Sequence, residues 1–174
     1  MVTRITTQPT SEPVDVTFMR NYLHWIDTDS STEEILKDYI KAARELFEKV
    51  LNVSLAEKTY EVSFYPDEIV DGFFELPFFP QSSIKKVSKL DNGSETEVTD
   101  YSFDDYTGQI RVKLDSGING FYKISFEAGY VDIPAILKMA LCEQVGNWYE
   151  GETEMGELSK ATLAKIQSYS HNLM

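Results

Sequence analysis

Glu75-Leu76-Pro77-Phe78-Phe79-Pro80-Gln81-Ser82-Ser83-Ile84 stands between a strand-like run ending at Leu76 and another running from Ile84 to Leu90. Proline lacks an amide hydrogen and holds φ near −65°, so two prolines three positions apart forbid a central strand or a helix interior here. The residues before Pro77 and Pro80 are biased toward extended backbone, which makes Leu76 to Pro80 a bridge between two strands. Two adjacent phenylalanines on such a connector, Phe78 and Phe79, are not both expected to point into one small core. One of them is expected to face a neighbour.

Working outward, residues 58 to 131 read as a compact antiparallel β unit. Tyr60, Val62 and Phe64 alternate with Glu61, Ser63 and Tyr65 until Pro66-Asp67 breaks the strand. Further strands are expected at Phe73 to Leu76, Ile84 to Leu90, Glu95 to Val98, Gln109 to Leu114 and Tyr122 to Ala128. Asp91-Asn92-Gly93 is a hairpin signal, because Asn-Gly tolerates positive φ at low cost. Asp100, Asp104 and Asp105 cluster in an expected turn beside Tyr101 and Tyr106.

Helical patterns flank the β unit. Thr17 is a plausible N-cap for a short helix carrying Phe18, Met19, Tyr22, Leu23 and Ile26, which Asp27-Thr28-Asp29-Ser30 ends. Ser31-Thr32-Glu33-Glu34 forms a capping box, and Ile35, Leu36, Tyr39, Ile40, Ala43, Leu46, Phe47, Val50 and Leu51 then hold the helical period for about five turns. After the β unit, Pro134 suits a first helical turn with Asp132 as a cap, and Ile136, Leu137, Ala140, Leu141, Val145, Trp148 and Tyr149 form a second apolar stripe. Gly146 inside it marks a crossing point, read as one with the long first helix. Gly151 to Gly156 reads as an acidic hinge before a last pattern of Leu158, Leu163, Ile166, Tyr169 and Leu173. A helix that short is marginal alone, so its apolar face needs a docking surface on this chain or on another protein.

The class is therefore α+β: a helical bundle of two N-terminal helices plus the helix after the sheet, with an inserted antiparallel β unit and a C-terminal helical tail. Residues 1 to 13 read as a flexible, Thr-rich arm, residues 14 to 57 and 132 to 151 as the helical core, and residues 152 to 174 as hinge and C-terminal helix. A chain of 174 residues can bury roughly 70% of its unfolded surface as one domain.

Composition excludes several classes. The net charge of −13 disfavours tight binding to nucleic acid or anionic membrane, since phosphate binding runs on Lys and Arg. The acid is spread as −4, −6 and −3 over residues 1 to 57, 58 to 131 and 132 to 174. No signal peptide and no apolar run of spanning length is apparent, so the expectation is a soluble, cytoplasmically made protein. The single cysteine, Cys142, excludes an internal disulfide and reads as a buried structural thiol. His24 and His171 stand on different helices, so no metal constellation forms, and His24 reads as a surface residue. Asp27 to Glu33 has the alternating oxygens of a calcium loop but lacks its glycine and terminal glutamate, and helix capping explains it better. No phosphate loop, nucleophile elbow or paired histidine-carboxylate motif occurs, so neither enzyme activity nor a cofactor is expected.

Three features in order resemble the head-tail connector (adaptor, or head-completion) proteins of long-tailed bacteriophages. They are the helical opening, Phe18 to Ile26 followed by Ile35 to Glu48; the Leu-Pro-x-x-Pro bridge with its following strand and Asp91-Asn92-Gly93 turn; and Phe126-Glu127-Ala128-Gly129-Tyr130 leading through Ile133-Pro134 to Asn147-Trp148-Tyr149-Glu150. The likeness covers about residues 14 to 150. The C-terminal Ser168-Tyr169-Ser170-His171-Asn172-Leu173-Met174 departs from the basic end that the family often carries.

The resemblance implies a structural virion protein of the neck, made in the host cytoplasm. Such a protein forms a twelve-subunit ring that docks on the portal protein, offers a platform to the next neck protein (a stopper or tail-completion protein), and lets genomic DNA pass through its lumen. An electronegative lumen would repel phosphates and let DNA slide. Under this reading Leu158, Leu163, Ile166, Tyr169 and Leu173 are candidates for the portal contact. Phe78 and Phe79 are candidates for inter-subunit contacts, the alternative being that both rings pack on their own sheet. Asp100, Asp104 and Asp105 are candidates for an acidic loop facing lumen or neck. Two readings of other classes are an acidic inhibitor that mimics DNA, and a sugar-binding β module using Tyr101, Asp104, Asp105 and Tyr106.

Overall fold

The fold rests on two strands that meet because both alternate apolar and polar residues with the same phase. In the computed structural model, which describes residues 1–25, 30–68, 73–91, 93–106, 109–114 and 120–170, β2 (Lys58–Phe64) pairs antiparallel with β8 (Phe121–Ala128) from Lys58↔Ala128 to Phe64↔Tyr122 without irregularity. Tyr60, Val62, Phe64, Tyr122, Ile124 and Phe126 all turn to one face and are buried, as a period of two requires. β4 (Gln81–Asp91) pairs with the other edge of β8, and β5 (Ser94–Glu97) returns beside it through a two-residue loop that places Asp91 opposite Ser94, with Gly93 at φ +83°. The hairpin signal is thus realised.

The arm expected at residues 1 to 13 is partly a strand. β1 (Val2–Thr7) pairs with the free edge of β2, giving a five-stranded antiparallel sheet in the order β1-β2-β8-β4-β5. The Thr- and Val-rich composition suits a half-exposed strand once an edge is available to pair with. A second correction concerns residues 101 to 106. The expected turn is β6 (Tyr101–Tyr106), which pairs with β7 (Gln109–Leu114), and β7 pairs with β3 (Phe73–Glu75) to make a three-stranded sheet.

The two sheets share one core of Tyr60, Val62, Phe64, Phe74, Leu76, Val87, Val112, Tyr122, Ile124, Phe126 and Ala128. Stacked rings organise it: Phe64 lies on Phe74 with centroids 3.7 Å apart, and Tyr60 stacks on Phe126 at 5.6 Å. These aromatic contacts add specific geometry to the area buried. Residues 1–9 and 57–130 form this β unit.

Residues 10–56 and 131–170 form a helical unit. Its helices are α1 (Val16–Tyr22), α2 (Ser30–Leu51), α3 (Ala135–Tyr149) and α4 (Lys160–Ile166), followed by a 3-10 turn over Gln167–Tyr169. Asp15, rather than Thr17, caps α1, its carboxylate accepting from the Phe18 amide at 2.7 Å. The Ser31 side chain and the calcium-like residues 27 to 29 lie outside the described residues, while Glu34 Oε1 of the expected capping box accepts from Lys37 Nζ at 2.8 Å. The α2 stripe is narrower than its apolar sequence: Leu36, Ile40, Ala43, Phe47 and Leu51 are buried, whereas Ile35 and Val50 are exposed. Pro134 occupies the cap position of α3, with no side-chain cap. Gly146 does sit at a close approach, but a Cβ there would meet Leu23, the residue that ends α1, at 3.4 Å, and not α2.

A buried ion cluster ties the segment before α1 to the C-terminal half of α2 and the turn after it. Arg44 is 2% exposed. Its Nε donates to Glu12 Oε2 at 2.6 Å and its Nη1 to Glu48 Oε2 at 2.8 Å, while Glu48 Oε1 accepts from the Leu55 amide at 2.9 Å. Burial alone would lower the guanidinium's pKa, but Glu12 and Glu48 together hold it above its ordinary value. One side chain thereby fastens the segment before α1, the helix itself and the turn after it. Arg44→Ala strips these carboxylates of their partner and is expected to cost about 3–5 kcal/mol. Urea denaturation checks this, with the exposed Lys41→Ala on the same helix, expected within about 0.5 kcal/mol of the parent, as control.

Candidate functional site

The proline bridge is closed onto its own unit by four contacts. Phe78 adopts φ +62°, a conformation rare outside glycine, and the Phe79–Pro80 peptide is cis. In this conformation the Phe78 ring stacks on Tyr60 with centroids 4.5 Å apart and planes 18° from parallel. The Gln81 amide donates to the Leu76 carbonyl at 2.8 Å and to the Pro77 carbonyl at 3.3 Å, and the Gly129 amide donates to the Pro80 carbonyl at 2.8 Å. Gly129 has φ +136°, open only to glycine without strain. The bridge and the Ala128-Gly129-Tyr130 turn, far apart in sequence, are therefore neighbours. Phe78 packs on its own sheet, and Phe79 is half-buried.

The C-terminal segment docks on its own unit through a polar latch that the apolar pattern does not announce. Gln144, fully buried on α3, donates from Nε2 to the Glu157 carbonyl at 3.0 Å and accepts the Ser159 amide on Oε1 at 3.1 Å. Trp148 Nε1 donates to the same Glu157 carbonyl at 3.2 Å. Ser159 then caps α4, accepting from the Thr162 amide at 3.0 Å. The stretch expected to be a hinge is thus fastened to α3. Among the candidates for the portal contact, Ile166 is fully buried, Leu158 and Tyr169 are half-buried, Leu163 is exposed, and Leu173 lies outside the described residues.

Burial removes Ile166 from any surface, while Leu163 is exposed on α4. Ile136 and Met139 on α3 are about half exposed. With Ala135, Ala140, Glu143 and Lys165 they line a groove of about 320 Å³ between α3 and α4, with a Lys165–Glu143 ion pair at its side. Exposed methionine beside exposed aliphatic residues is a signature of adaptable contact surfaces. Met139 was not singled out in the sequence, although its place one turn after Ile136 could have marked it.

Charge is arranged differently on the solvent face of the five-stranded sheet. Arg4 on β1 pairs with Glu61 on β2 at 2.6 Å, Glu61 with Lys123 on β8 at 3.5 Å, and Lys123 with Glu95 on β5, which also takes Lys86 at 2.9 Å and the Ser88 hydroxyl at 2.9 Å. The signs alternate across the sheet, which is not the single-sign stripe a duplex mimic needs on this face. Hydrogen bonds from Lys123, Lys86 and Ser88 hold the Glu95 carboxyl down at about 2.

Of the remaining candidates, Asp100 is exposed and Tyr101 is half-buried against the β core, while the side chains of Asp104, Asp105 and Tyr106 lie outside those described. A second groove, of about 520 Å³, is open and mixed, lined by residues including Lys85, Lys86, Glu97 and Tyr101. Cys142 is buried and its pKa is pushed up to about 11 by burial, so it is a thiol at neutral pH. His24 is exposed, with φ +53°. Among the described residues no group of His, Cys, Asp or Glu could hold a metal ion, and no helix is long and apolar enough to cross a membrane.

Comparison with known proteins bears on these surfaces. The model of a family described as head completion protein matches residues 15–161. No curated protein matches the sequence. Among solved structures, a chain in the neck of an empty gene transfer agent particle, computed with C6 symmetry, is 17% identical with a TM-score of 0.81, the match covering 100% of this chain and 97% of that one. A chain from the virion of a native gene transfer agent particle gives the same identity, TM-score and coverage. A third, in the neck of a native particle computed with C12 symmetry, is 18% identical at a TM-score of 0.79, with 100% and 97% covered. These likenesses establish a shared fold over the whole chain.

Two outcomes follow from the latch and the charged row. Gln144→Leu leaves the Glu157 carbonyl and Ser159 amide short of partners and is expected to cost about 1–3 kcal/mol; amide exchange at Ser159 should quicken more than in α2. Glu95, lowered from 4.5, stabilises the fold fully above about pH 4.5, and this contribution is lost as pH falls through about 2. A carboxyl NMR titration of Glu95 midway near 2 supports this; a midpoint at 4.5 refutes the row.

Proposed function

This chain belongs to the head completion protein family, and from that premise we propose that it is a structural virion protein of the neck: an adaptor that docks on the portal, assembles there as a closed ring, and links capsid to tail. The family match over residues 15–161 is the observation that carries the reading. The role is mechanical rather than enzymatic. The fold shared with neck proteins of gene transfer agent particles supports the same place in a particle, and a C12 neck among them is compatible with a ring of twelve.

In this reading the −13 charge of each subunit keeps the lumen electronegative, so genomic DNA passes without adhering. Asp100, just before β6, with Asp104 and Asp105 on β6, is the proposed acidic group toward lumen or neck. The next neck protein, a stopper or tail-completion protein, binds the side away from the portal. The portal contact is assigned to exposed apolar residues of the helical unit: Leu163 among the C-terminal candidates, and Ile136 and Met139 beside the groove between α3 and α4. Phe79, half-buried on the bridge, is the residue proposed to touch a neighbouring subunit.

Leu163→Glu combined with Met139→Glu places charge among these residues while sparing the buried Ile166 and Thr162. Binding to purified portal protein is expected to weaken roughly tenfold or more, since each apolar side chain of this size contributes about 1.5–3 kcal/mol when buried. Thermal unfolding should be unchanged. Undiminished portal binding would remove these residues from the interface.

A further inference from the structure

Among the described residues the five-stranded sheet ends in two edge strands, β1 on one side and β5 on the other. Edge strands are normally blunted by short length, charge, proline, a bulge or a cover, and here charge is the device both edges carry. Neither Val2-Thr3-Arg4-Ile5 nor Ser94-Glu95-Thr96-Glu97 contains proline or lysine. The bulge in β1 lies beyond Ile5, which leaves a regular stretch of the same length as β5. β1 is exposed at Val2 (72%), Arg4 and Ile5 (43%), and all of β5 is exposed.

The two edges are also unlike in charge. β1 carries Arg4, whereas β5 carries Glu95 and Glu97. Along the solvent face the row of alternating signs begins with Arg4 on β1 and ends with Glu95 on β5.

We propose that these edges join copies of this chain head to tail: β1 of one subunit lies beside β5 of the next, so that Arg4 of one copy faces Glu95 of its neighbour and the row of alternating signs continues from subunit to subunit. The inference rests on the ring reading and supplies its inter-subunit surface. Each strand in the order β1-β2-β8-β4-β5 is antiparallel to the one beside it, so β1 and β5 run in the same direction. Subunits related by rotation about a ring axis therefore meet in a parallel pair. The contact is heterologous, as a ring requires. The two-fold alternatives are disfavoured by charge, because β1 on β1 sets Arg4 against Arg4 and β5 on β5 sets Glu95 and Glu97 against their like.

Cysteine cross-linking tests the junction, since the one native cysteine is buried. The full chain carrying Arg4→Cys and Glu95→Cys, mixed with purified portal protein and oxidised, should give a ladder of reductant-sensitive multimers on a denaturing gel, and each single variant should give no cross-linked species. Dimers from either single variant would overturn the head-to-tail arrangement. In the unmodified chain, amide exchange at Val2–Ile5 and Ser94–Glu97 should slow at least about tenfold on assembly. Rings seen by electron microscopy without cross-links and without this protection would overturn the edge pairing alone. Absence of rings altogether would overturn the ring reading and the junction with it.

Discussion

The pairing of β2 with β8 is the constraint on which the β unit depends. Seven consecutive residue pairs bring together the strand by which the chain enters the unit and the strand by which it leaves. Lys58 and Ala128 are opposite each other, so a segment of more than seventy residues begins and ends at one place, the geometry of an insertion. Because β8 also takes β4 on its other edge, Gln81 falls opposite Ala128, and the proline bridge lies against the Gly129 turn. The same register turns Tyr60, Val62, Phe64 and their partners on β8 inward, and leaves Glu61 and Lys123 to the charged row. A slip of one residue would exchange the two faces and abolish both.

The helical unit is organised by buried polar groups as much as by its apolar stripes. Arg44 fastens three segments, and Gln144 with Trp148 fastens the C-terminal segment to α3. Polar groups so placed tolerate one arrangement only, since an unpaired partner is costly in a low dielectric. A unit so fastened keeps Ile136 and Met139 exposed on α3, as the proposed role between neighbouring proteins requires.

What could be read in the sequence follows from where the determining contact lies. α2, α3 and most strands announce themselves by local period, and the Asn-Gly loop by its own chemistry. β1 escaped because an edge strand of threonine and valine is defined by the strand it joins, and nothing local distinguishes Val2 to Thr7 from a polar arm. β6 was hidden by its aspartates, which suit a turn until β7 supplies a ladder. Ile166 and Leu163 look alike in sequence, yet Ser159 sets the phase of α4 so that one is buried and the other exposed. Gln144 is one polar residue within an apolar stripe, and its role appears only when the Glu157 carbonyl and Ser159 amide arrive beside it. Phe78 could have faced either way; its stack on Tyr60 depends on a positive φ that composition does not disclose.

The central claim is that the chain assembles as a ring on the portal. Native mass spectrometry of the full chain mixed with purified portal protein tests it most directly. The account predicts a single discrete complex carrying one copy of this chain for each portal subunit. A chain that remains monomeric beside intact portal, or that forms only a self-associated dimer, would contradict it.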